Sequence, residues 1–269
     1  MKKRLDILVT ERGIVKSREL ARSCIMAGEI LVDSRVEDKP GSKFSEDVEI
    51  ELKGKPFSYV SRGALKLEKA LSLFKIDLTG KCCMDIGAST GGFTDLMLKK
   101  GANRVYSIDV GYGQLDYKLR TDPRVVCMER TNFRYMKDGD LDQAPDFASA
   151  DVSFISLSKM LPPAFEILSD DGEMVCLIKP QFEAGREKVG KKGVVSDSSV
   201  HIEVIDKVMQ YALDAGFISK ALSFSPIKGP KGNIEFLYHI GKSGEDSGIT
   251  SQNVESVVRE AHMELDEKK

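Results

Sequence analysis

Histidine and cysteine are sparse and unpatterned in this chain of 269 residues. His201, His239 and His262 stand apart from one another and from any cysteine or acid cluster, so no metal site is expected. The five cysteines are odd in number, with Cys82 and Cys83 adjacent, which gives neither a ligand spacing nor a disulfide framework. They read as small buried hydrophobes in a reducing compartment. No apolar run approaches the roughly 18 residues of a membrane span. The N-terminus meets Asp6 before a signal peptide's apolar core can form. A soluble, cytoplasmic protein is expected, with no internal repeat and no low-complexity segment. An excess of charge is missing too: the net charge is -2. Affinity for nucleic acid must therefore come from how charge is distributed. Lys2, Lys3, Arg4, Arg12, Lys16, Arg18 and Arg22 face only Asp6, Glu11 and Glu19 in residues 1–22. Arg186, Lys188, Lys191 and Lys192 face only Glu187 in residues 185–192. These two islands are either phosphate-binding surfaces or solvated charge.

The most informative stretch is Asp85-Ile86-Gly87-Ala88-Ser89-Thr90-Gly91-Gly92-Phe93, which follows the apolar run Cys82-Cys83-Met84. It predicts a strand that turns into a helix, since apolar residues recur at helical spacing from Phe93 to Leu98. Gly87, Gly91 and Gly92 lack the side chains that would hold a ligand off the backbone. A dinucleotide fold would place G-x-G-x-x-G against a pyrophosphate. Here the spacing is G-x-x-x-G-G and an acid precedes it. A carboxylate at Asp85 would repel a diphosphate but suits the ammonium end of S-adenosylmethionine. Ser89 and Thr90 are further candidates on the same turn. Arg104 to Val110 reads as a second strand, in which Asp109 could accept two hydrogen bonds from ribose hydroxyls. Asn132, after a third strand at 125–128, could offer an amide to an adenine edge. The alternative is a glycine-rich turn of any α/β domain.

The remaining pattern alternates strands and helices. Strands are expected at 147–154, 172–180, 219–225 and 233–240 and helices at 161–168 and 200–215, with Pro162 and Pro163 starting the first. This predicts a parallel sheet covered on both faces. The loop 183–196 is long and basic, which suits a mobile substrate lid. Lys66 lies in a helix capped by Ser61, with Leu65, Ala70, Leu71 and Phe74 as its buried stripe. Lys66, Asp151, Lys179 and Glu235 fall where the sheet would bring them to one rim. A lysine beside a carboxylate suits methyl transfer to a hydroxyl, because the alcohol must be deprotonated or aimed as the methyl arrives. Each of the four, taken singly, reads better as a surface or ion-pair residue, while all four together do not.

Ahead of this domain, residues 4–10 predict a short helix, and Ser17 caps a second. In that helix Leu20, Ala21, Cys24 and Ile25 form the apolar face, while Arg18, Arg22 and Ser23 look outward. Strands follow at 29–32 and 48–52, with a turn at Asp33-Ser34. Arg4-Leu5-Asp6, Ser17-Arg18 and Ala27-Gly28-Glu29-Ile30-Leu31-Val32 closely resemble the RNA-binding domain named after ribosomal protein S-four.

The set Lys66, Asp151, Lys179 and Glu235 resembles the tetrad of FtsJ-type ribose 2'-O-methyltransferases. Joined to the N-terminal domain, the chain resembles the TlyA family of ribosomal RNA methyltransferases, also labelled haemolysin A. The matching pieces are Arg62-Gly63-Ala64-Leu65-Lys66-Leu67, the loop at 85–93, Lys179-Pro180-Gln181-Phe182 and Gly232-Asn233-Ile234-Glu235. The resemblance implies a class I, Rossmann-like α/β fold with a seven-stranded, mostly parallel sheet behind a small α+β RNA-binding domain. It divides the chain into residues 1–54, a linker at 55–58, a methyltransferase domain at 59–245 and a helical tail at 246–269. It implies S-adenosylmethionine, bound by Asp85, Gly87, Ala88, Ser89, Gly91, Gly92, Phe93, Asp109, Asn132 and Asp151. Lys179 would be the general base or orienter of the 2'-hydroxyl of a cytidine, Asp151 would poise it, and Lys66 and Glu235 would position the ribose. Ribosomal RNA would be held by Lys3, Arg4, Arg12, Lys16, Arg18, Arg22, Arg62, Arg186 and Lys188. A membrane-active haemolysin would need a lytic segment and an export route, and neither is visible. A non-catalytic ribosome assembly factor would have no use for an intact tetrad.

Overall fold

The computed structural model describes residues 2–15, 17–26, 28–53 and 59–266. The chain divides into two compact units, Met1–Ala64 and Leu65–Lys269. Lys16 and the linker expected at 55–58 lie outside the described residues.

The first unit runs β1 (Lys2–Arg4), α1 (Leu5–Glu11), α2 (Arg18–Met26), β2 (Ile30–Val32), β3 (Arg35–Val36), β4 (Lys43–Ser45) and β5 (Ile50–Leu52). Leu5, Leu8 and Val9 of α1 meet Ala21, Cys24 and Ile25 of α2 in its core. The Ser17 hydroxyl accepts from the Leu20 amide at 3.2 Å, the cap expected there. Ser23, expected to face outward, is buried, because the apolar face of α2 is wider than its aliphatic residues alone suggest. Asp33 and Ser34 both take left-handed backbone (φ 49° and 62°), which is the geometry of a two-residue turn between antiparallel β2 and β3. The pairing of β1 with β4 escapes the sequence because Lys2, Lys3, Arg4 and Lys43 give it no apolar alternation.

Much of the basic island is engaged within this unit. Asp6 is fully buried and accepts from Arg4 Nε (2.9 Å), Arg4 Nη2 (3.1 Å) and Arg18 Nε (3.0 Å). Burial alone would raise its pKa, but the two guanidiniums outweigh it and hold the carboxyl below its ordinary value. Arg12 donates to the carbonyls of Val48 (2.6 Å) and Glu46 (2.5 Å), and Lys3 pairs with Glu11 at 3.0 Å. Arg22 is exposed and makes no ion pair among the described residues. Replacing Asp6 with Asn should destabilise this unit by about 1–3 kcal/mol, read as faster amide hydrogen exchange in α1 and α2. The Asp6 contribution is present above the unfolded carboxyl pKa of about 3.9 and is lost as the pH falls through the lower folded value. Unchanged exchange in the variant would contradict this.

The second unit contains α3 (Ala64–Leu73), β6 (Cys82–Ile86), α4 (Gly92–Lys99), β7 (Arg104–Ile108), α5 (Tyr117–Arg120), β8 (Val125–Met128), β9 (Phe147–Ala150), α6 (Leu161–Ile167), β10 (Glu173–Ile178), α7 (Pro180–Glu183), α8 (Ser198–Asp214), β11 (Ile218–Phe224), β12 (Phe236–Gly241) and α9 (Ser251–Asp266). Its seven strands lie in the order β11-β12-β10-β9-β6-β7-β8. All the described pairings from β10 to β8 are parallel, while β12 runs antiparallel to both β10 and β11. The fully buried β6 reads as an apolar run because both faces of the sheet are covered. Cys82, Met84 and Ile86 enter the core built with α6, α8 and α9. The buried stripe of α3 is Ala64, Leu67, Ala70 and Leu71, with Leu65 and Phe74 only half-buried. The tail expected as a charged helix packs as α9 on α8 and β11, burying Val254, Val258, Ala261 and Leu265. No helix among the described residues is long and apolar enough to cross a membrane.

The reversal of β12 sets the position of one key residue. Ile178 at the end of β10 pairs with Phe236 at the start of β12. Glu235, expected inside the strand, therefore precedes it at the same edge where Lys179 follows β10. That edge is the carboxyl edge of the parallel strands, where ligands bind in open α/β sheets.

Candidate active site

A cavity of about 460 Å³ opens at this edge. Of the residues expected to hold a cofactor, Gly87, Ser89, Asp109, Asn132 and Asp151 line it. Asp85, Ala88, Gly91, Gly92 and Phe93 do not. The two critical glycines serve backbone approach and packing. A Cβ on Gly87 (φ +83°) would stand 2.9 Å from the Asp151 carbonyl oxygen, so the glycine lets β6 and β9 end side by side. A Cβ on Gly91 (φ +92°) would strike the Leu119 and Leu115 side chains, so the helix-starting turn is packed under those two leucines. Gly92, Ala88 and Phe93 are buried.

Asp85 departs furthest from expectation. It is 1% exposed and accepts from the Thr94 amide (2.9 Å), the Thr94 hydroxyl (2.7 Å) and the Ser149 hydroxyl (3.2 Å). Strand alternation explains this, since Asp85 points into the face that receives α4 while Gly87 begins the turn. Burial pushes its pKa up to about 7 against those three donors. The carboxyl ties the start of α4 to β6 and β9 beneath the cavity, instead of meeting an ammonium group within it. Asp109 does sit at the cavity wall. Its two oxygens accept from the amides of Ser89 (2.8 Å) and Gly111 (2.6 Å), which fixes their direction. Each keeps a further acceptor position. Asn132 accepts from the Arg134 amide at 3.3 Å through Oδ1, leaving its NH2 without a bond among the described residues.

The four ionisable candidates meet beside this cavity. Glu235 Oε2 lies 2.7 Å from Lys66 Nζ, which lies 3.1 Å from Asp151 Oδ2, and Asp151 Oδ1 lies 2.5 Å from Lys179 Nζ. The order of charges is therefore minus, plus, minus, plus. Lys66 and Lys179 are each 7% exposed and Glu235 is 1% exposed, so solvent screens the chain little. Burial would lower the Lys66 pKa, but the carboxylates of Asp151 and Glu235 outweigh it and hold Lys66 above its ordinary value. Burial would likewise raise Asp151, and Lys66 and Lys179 together hold it below its ordinary value. Lys66 is thus a fixed cation. Among the described residues Lys179 has a single carboxylate neighbour, and it donates to the Ser153 hydroxyl at 3.1 Å.

Three supporting residues were not read from the sequence. Ser153 lines the cavity two residues after Asp151. Glu183 is buried, accepts from Ser156 Oγ and the Leu157 amide (both 2.7 Å), and so ties the segment after Asp151 to the helix after Lys179. Asn233 is 2% exposed, accepts from the Val195 amide at 3.0 Å and donates to the Gly193 carbonyl at 2.9 Å. The loop expected as a mobile lid is therefore pinned along its second half. His201 adds to this with its Nε2 3.0 Å from the Val195 carbonyl. In the first half Lys188 pairs with Glu203, whereas Arg186 is exposed with no ion pair among the described residues.

Comparison with known proteins fits this geometry. Residues 59–242 match the FtsJ-like methyltransferases and residues 3–50 match the S4 domain. The chain is 50% identical to "Putative rRNA methyltransferase YqxC" of Bacillus subtilis over all of its length and 97% of that protein. It is 38% identical to "16S/23S rRNA (cytidine-2'-O)-methyltransferase TlyA" of Mycobacterium tuberculosis, over 97% of both chains. The chain belongs to the TlyA family of FtsJ-like methyltransferases. A solved structure titled "Putative hemolysin from Streptococcus thermophilus" covers 99% of this chain and 98% of its own, with a TM-score of 0.79 at 48% identity. A methyltransferase from Listeria monocytogenes, at 16% identity and a TM-score of 0.51, shares the α/β fold.

The raised pKa of Asp85 gives a signed expectation. Its folded value lies above the unfolded one, so its contribution is full below about pH 4 and is lost as the pH rises to about 7. Asp85→Asn should abolish that loss, so that the stability of wild type relative to the variant falls across that window in urea titrations of the full chain. An identical pH slope in both proteins would contradict the assignment.

Proposed function

We propose that the protein transfers a methyl group from S-adenosylmethionine to a ribose 2'-hydroxyl of ribosomal RNA, that of a cytidine. The observation that carries this reading is the ion-pair chain from Glu235 through Lys66 and Asp151 to Lys179, in which Asp151 lines a cavity that suits a nucleoside cofactor. The donor set fits that group: Asp109 would accept from ribose hydroxyls, the Asn132 amide would meet the adenine edge, and Gly87, Ser89 and Asp151 would border the rest. Asp85 acts indirectly, by holding the loop. When bound, S-adenosylmethionine supplies an electrophilic methyl group.

The chain's own residues do the remaining work. An alcohol is a weak nucleophile, so its proton must leave as the new bond forms. Lys66 is excluded as acceptor because two carboxylates keep its proton in place. Lys179 is the group positioned to orient the 2'-hydroxyl and, as the neutral amine left once its own proton has passed to solvent, to take the hydroxyl proton, with the adjacent Asp151 carboxylate balancing the ammonium that re-forms. Glu235 neutralises Lys66, so the cluster adds no net charge as substrate arrives. On the first unit Arg22, with the outer faces of Lys3, Arg4, Arg12 and Arg18, contacts the RNA backbone. Arg62, also on the first unit, and Arg186 and Lys188 on the second contact the RNA as well.

Lys179→Ala should lower the rate of 2'-O-methylation by about a hundredfold or more while leaving RNA affinity unchanged. Single-turnover methylation and filter binding on the same ribosomal RNA read the two separately. Full activity in the variant, or lost binding with an unchanged chemical step, would contradict the role.

A further inference from the structure

The cavity beside the glycine turn has one wall that no sequence pattern marks, the loop between β7 and α5. Val110 and Gln114 of this loop line the cavity together with Ser89 and Asp109. The end of β8 holds the loop in place. Glu129 Oε1 accepts from the amides of Gln114 (3.0 Å) and Leu115 (3.3 Å) and from Arg120 Nη2 (2.7 Å), and the Arg130 amide donates to the Gly111 carbonyl at 2.9 Å. The Arg120 guanidinium and the loop amides hold the Glu129 carboxyl down at about 2. Leu115 is buried beside Gly91, where a Cβ would stand 2.8 Å from its side chain. The backbone from which Gln114 projects is therefore fixed at Gln114 itself and at the next residue.

Gln114 is exposed, and its carboxamide reaches between two other residues of the same wall. Its Oε1 accepts from the Ser89 hydroxyl at 3.3 Å. Its Nε2 lies over Gly111, where an added Cβ would collide with it and stand 3.0 Å from Asp109 Oδ1. The donor end of the amide is thus next to the acid. Charge fixes that orientation, because the amide turned over would set its oxygen toward the Asp109 carboxylate. The NH2 group makes no hydrogen bond among the described residues. A donor and an acceptor side by side on a cavity wall match a vicinal diol. Asp109 alone can only accept from the two hydroxyls, and it leaves their oxygens without a donor.

We propose that Gln114 is a second ribose ligand for the nucleoside cofactor, donating from Nε2 to one hydroxyl oxygen of the diol that Asp109 accepts from, and that Glu129 positions it. Gln114 touches the cofactor, whereas Glu129 acts only through the loop. This rests on the S-adenosylmethionine reading and adds to it a residue that reads the ribose hydroxyls from the side opposite the glycine turn's own amides.

The probes are S-adenosylhomocysteine, the product left after methyl transfer, and its 2'-deoxy and 3'-deoxy analogues. Each is titrated by calorimetry into the full-length protein without RNA, so the readout is binding and not turnover. Gln114→Met keeps the length of the side chain and removes the donor. It should bind S-adenosylhomocysteine about three- to tenfold more weakly than wild type, the loss of one hydrogen bond. That difference should vanish with the analogue lacking the hydroxyl that Gln114 meets and remain with the other. In a Glu129→Gln background, where the loop is no longer held, the same Gln114→Met change should weaken binding less than it does in wild type. Unchanged S-adenosylhomocysteine affinity in Gln114→Met, or an equal loss for all three ligands, overturns the ribose contact and leaves the cofactor reading standing. An undiminished effect in the Glu129→Gln background overturns the positioning role of Glu129. No binding of S-adenosylhomocysteine by wild type overturns the cofactor reading and the proposal together.

Discussion

Two cations and two anions, alternating in sign and all but the half-buried Asp151 buried, depend on one another at the carboxyl edge of the sheet. Removing one member of such a chain would leave its neighbour charged in a low-dielectric setting, a cost of about 3–5 kcal/mol for a buried pair. The alternation solves this by giving each inner member two partners of opposite sign: Lys66 has Glu235 and Asp151, and Asp151 has Lys66 and Lys179. The outer cation, Lys179, has only one among the described residues, and that asymmetry distinguishes the two lysines.

The rest of the second unit brings these groups together. Lys66 comes from α3, Asp151 follows β9, Lys179 follows β10, and Glu235 arrives by the reversed strand β12. The Gly87 turn allows Asp151 to come within contact of the cofactor loop. Asp85 anchors that turn from below through Thr94 and Ser149. Glu183 and Asn233 then fasten the two loops on either side of Lys179. The site is thus a set of strand ends held by buried side chains, in keeping with catalytic groups carried on rigid elements.

Much of this was legible in the sequence where local pattern and position agree. The apolar strands β6, β8 and β10 and the prolines that start α6 read correctly from local pattern, with Lys66 in the expected helix and Asp151 and Lys179 at the expected strand ends, whereas Glu235 precedes the strand expected to contain it. Where a residue's face depended on alternation or topology, the reading slipped. By its charge Asp85 suits the ammonium end of a cofactor, whereas strand parity turns it inward. Gly91 reads as space for a cofactor, whereas the leucines that need the space are 24 and 28 residues downstream. The basic loop suggested mobility by its composition, while the residues that pin it, Asn233 and His201, lie after it in the chain. The described pair β1 and β4 had no apolar signal to read.

The central claim is that this cluster activates a ribose hydroxyl. The most direct measurement incubates the purified protein with unmethylated ribosomal RNA and S-adenosylmethionine carrying an isotopically labelled methyl group, then locates the label by nuclease digestion and mass spectrometry. The account predicts label on the ribose 2'-oxygen of a cytidine, with the adjoining linkage made resistant to alkali. Label on a base, or none on the RNA, would contradict it.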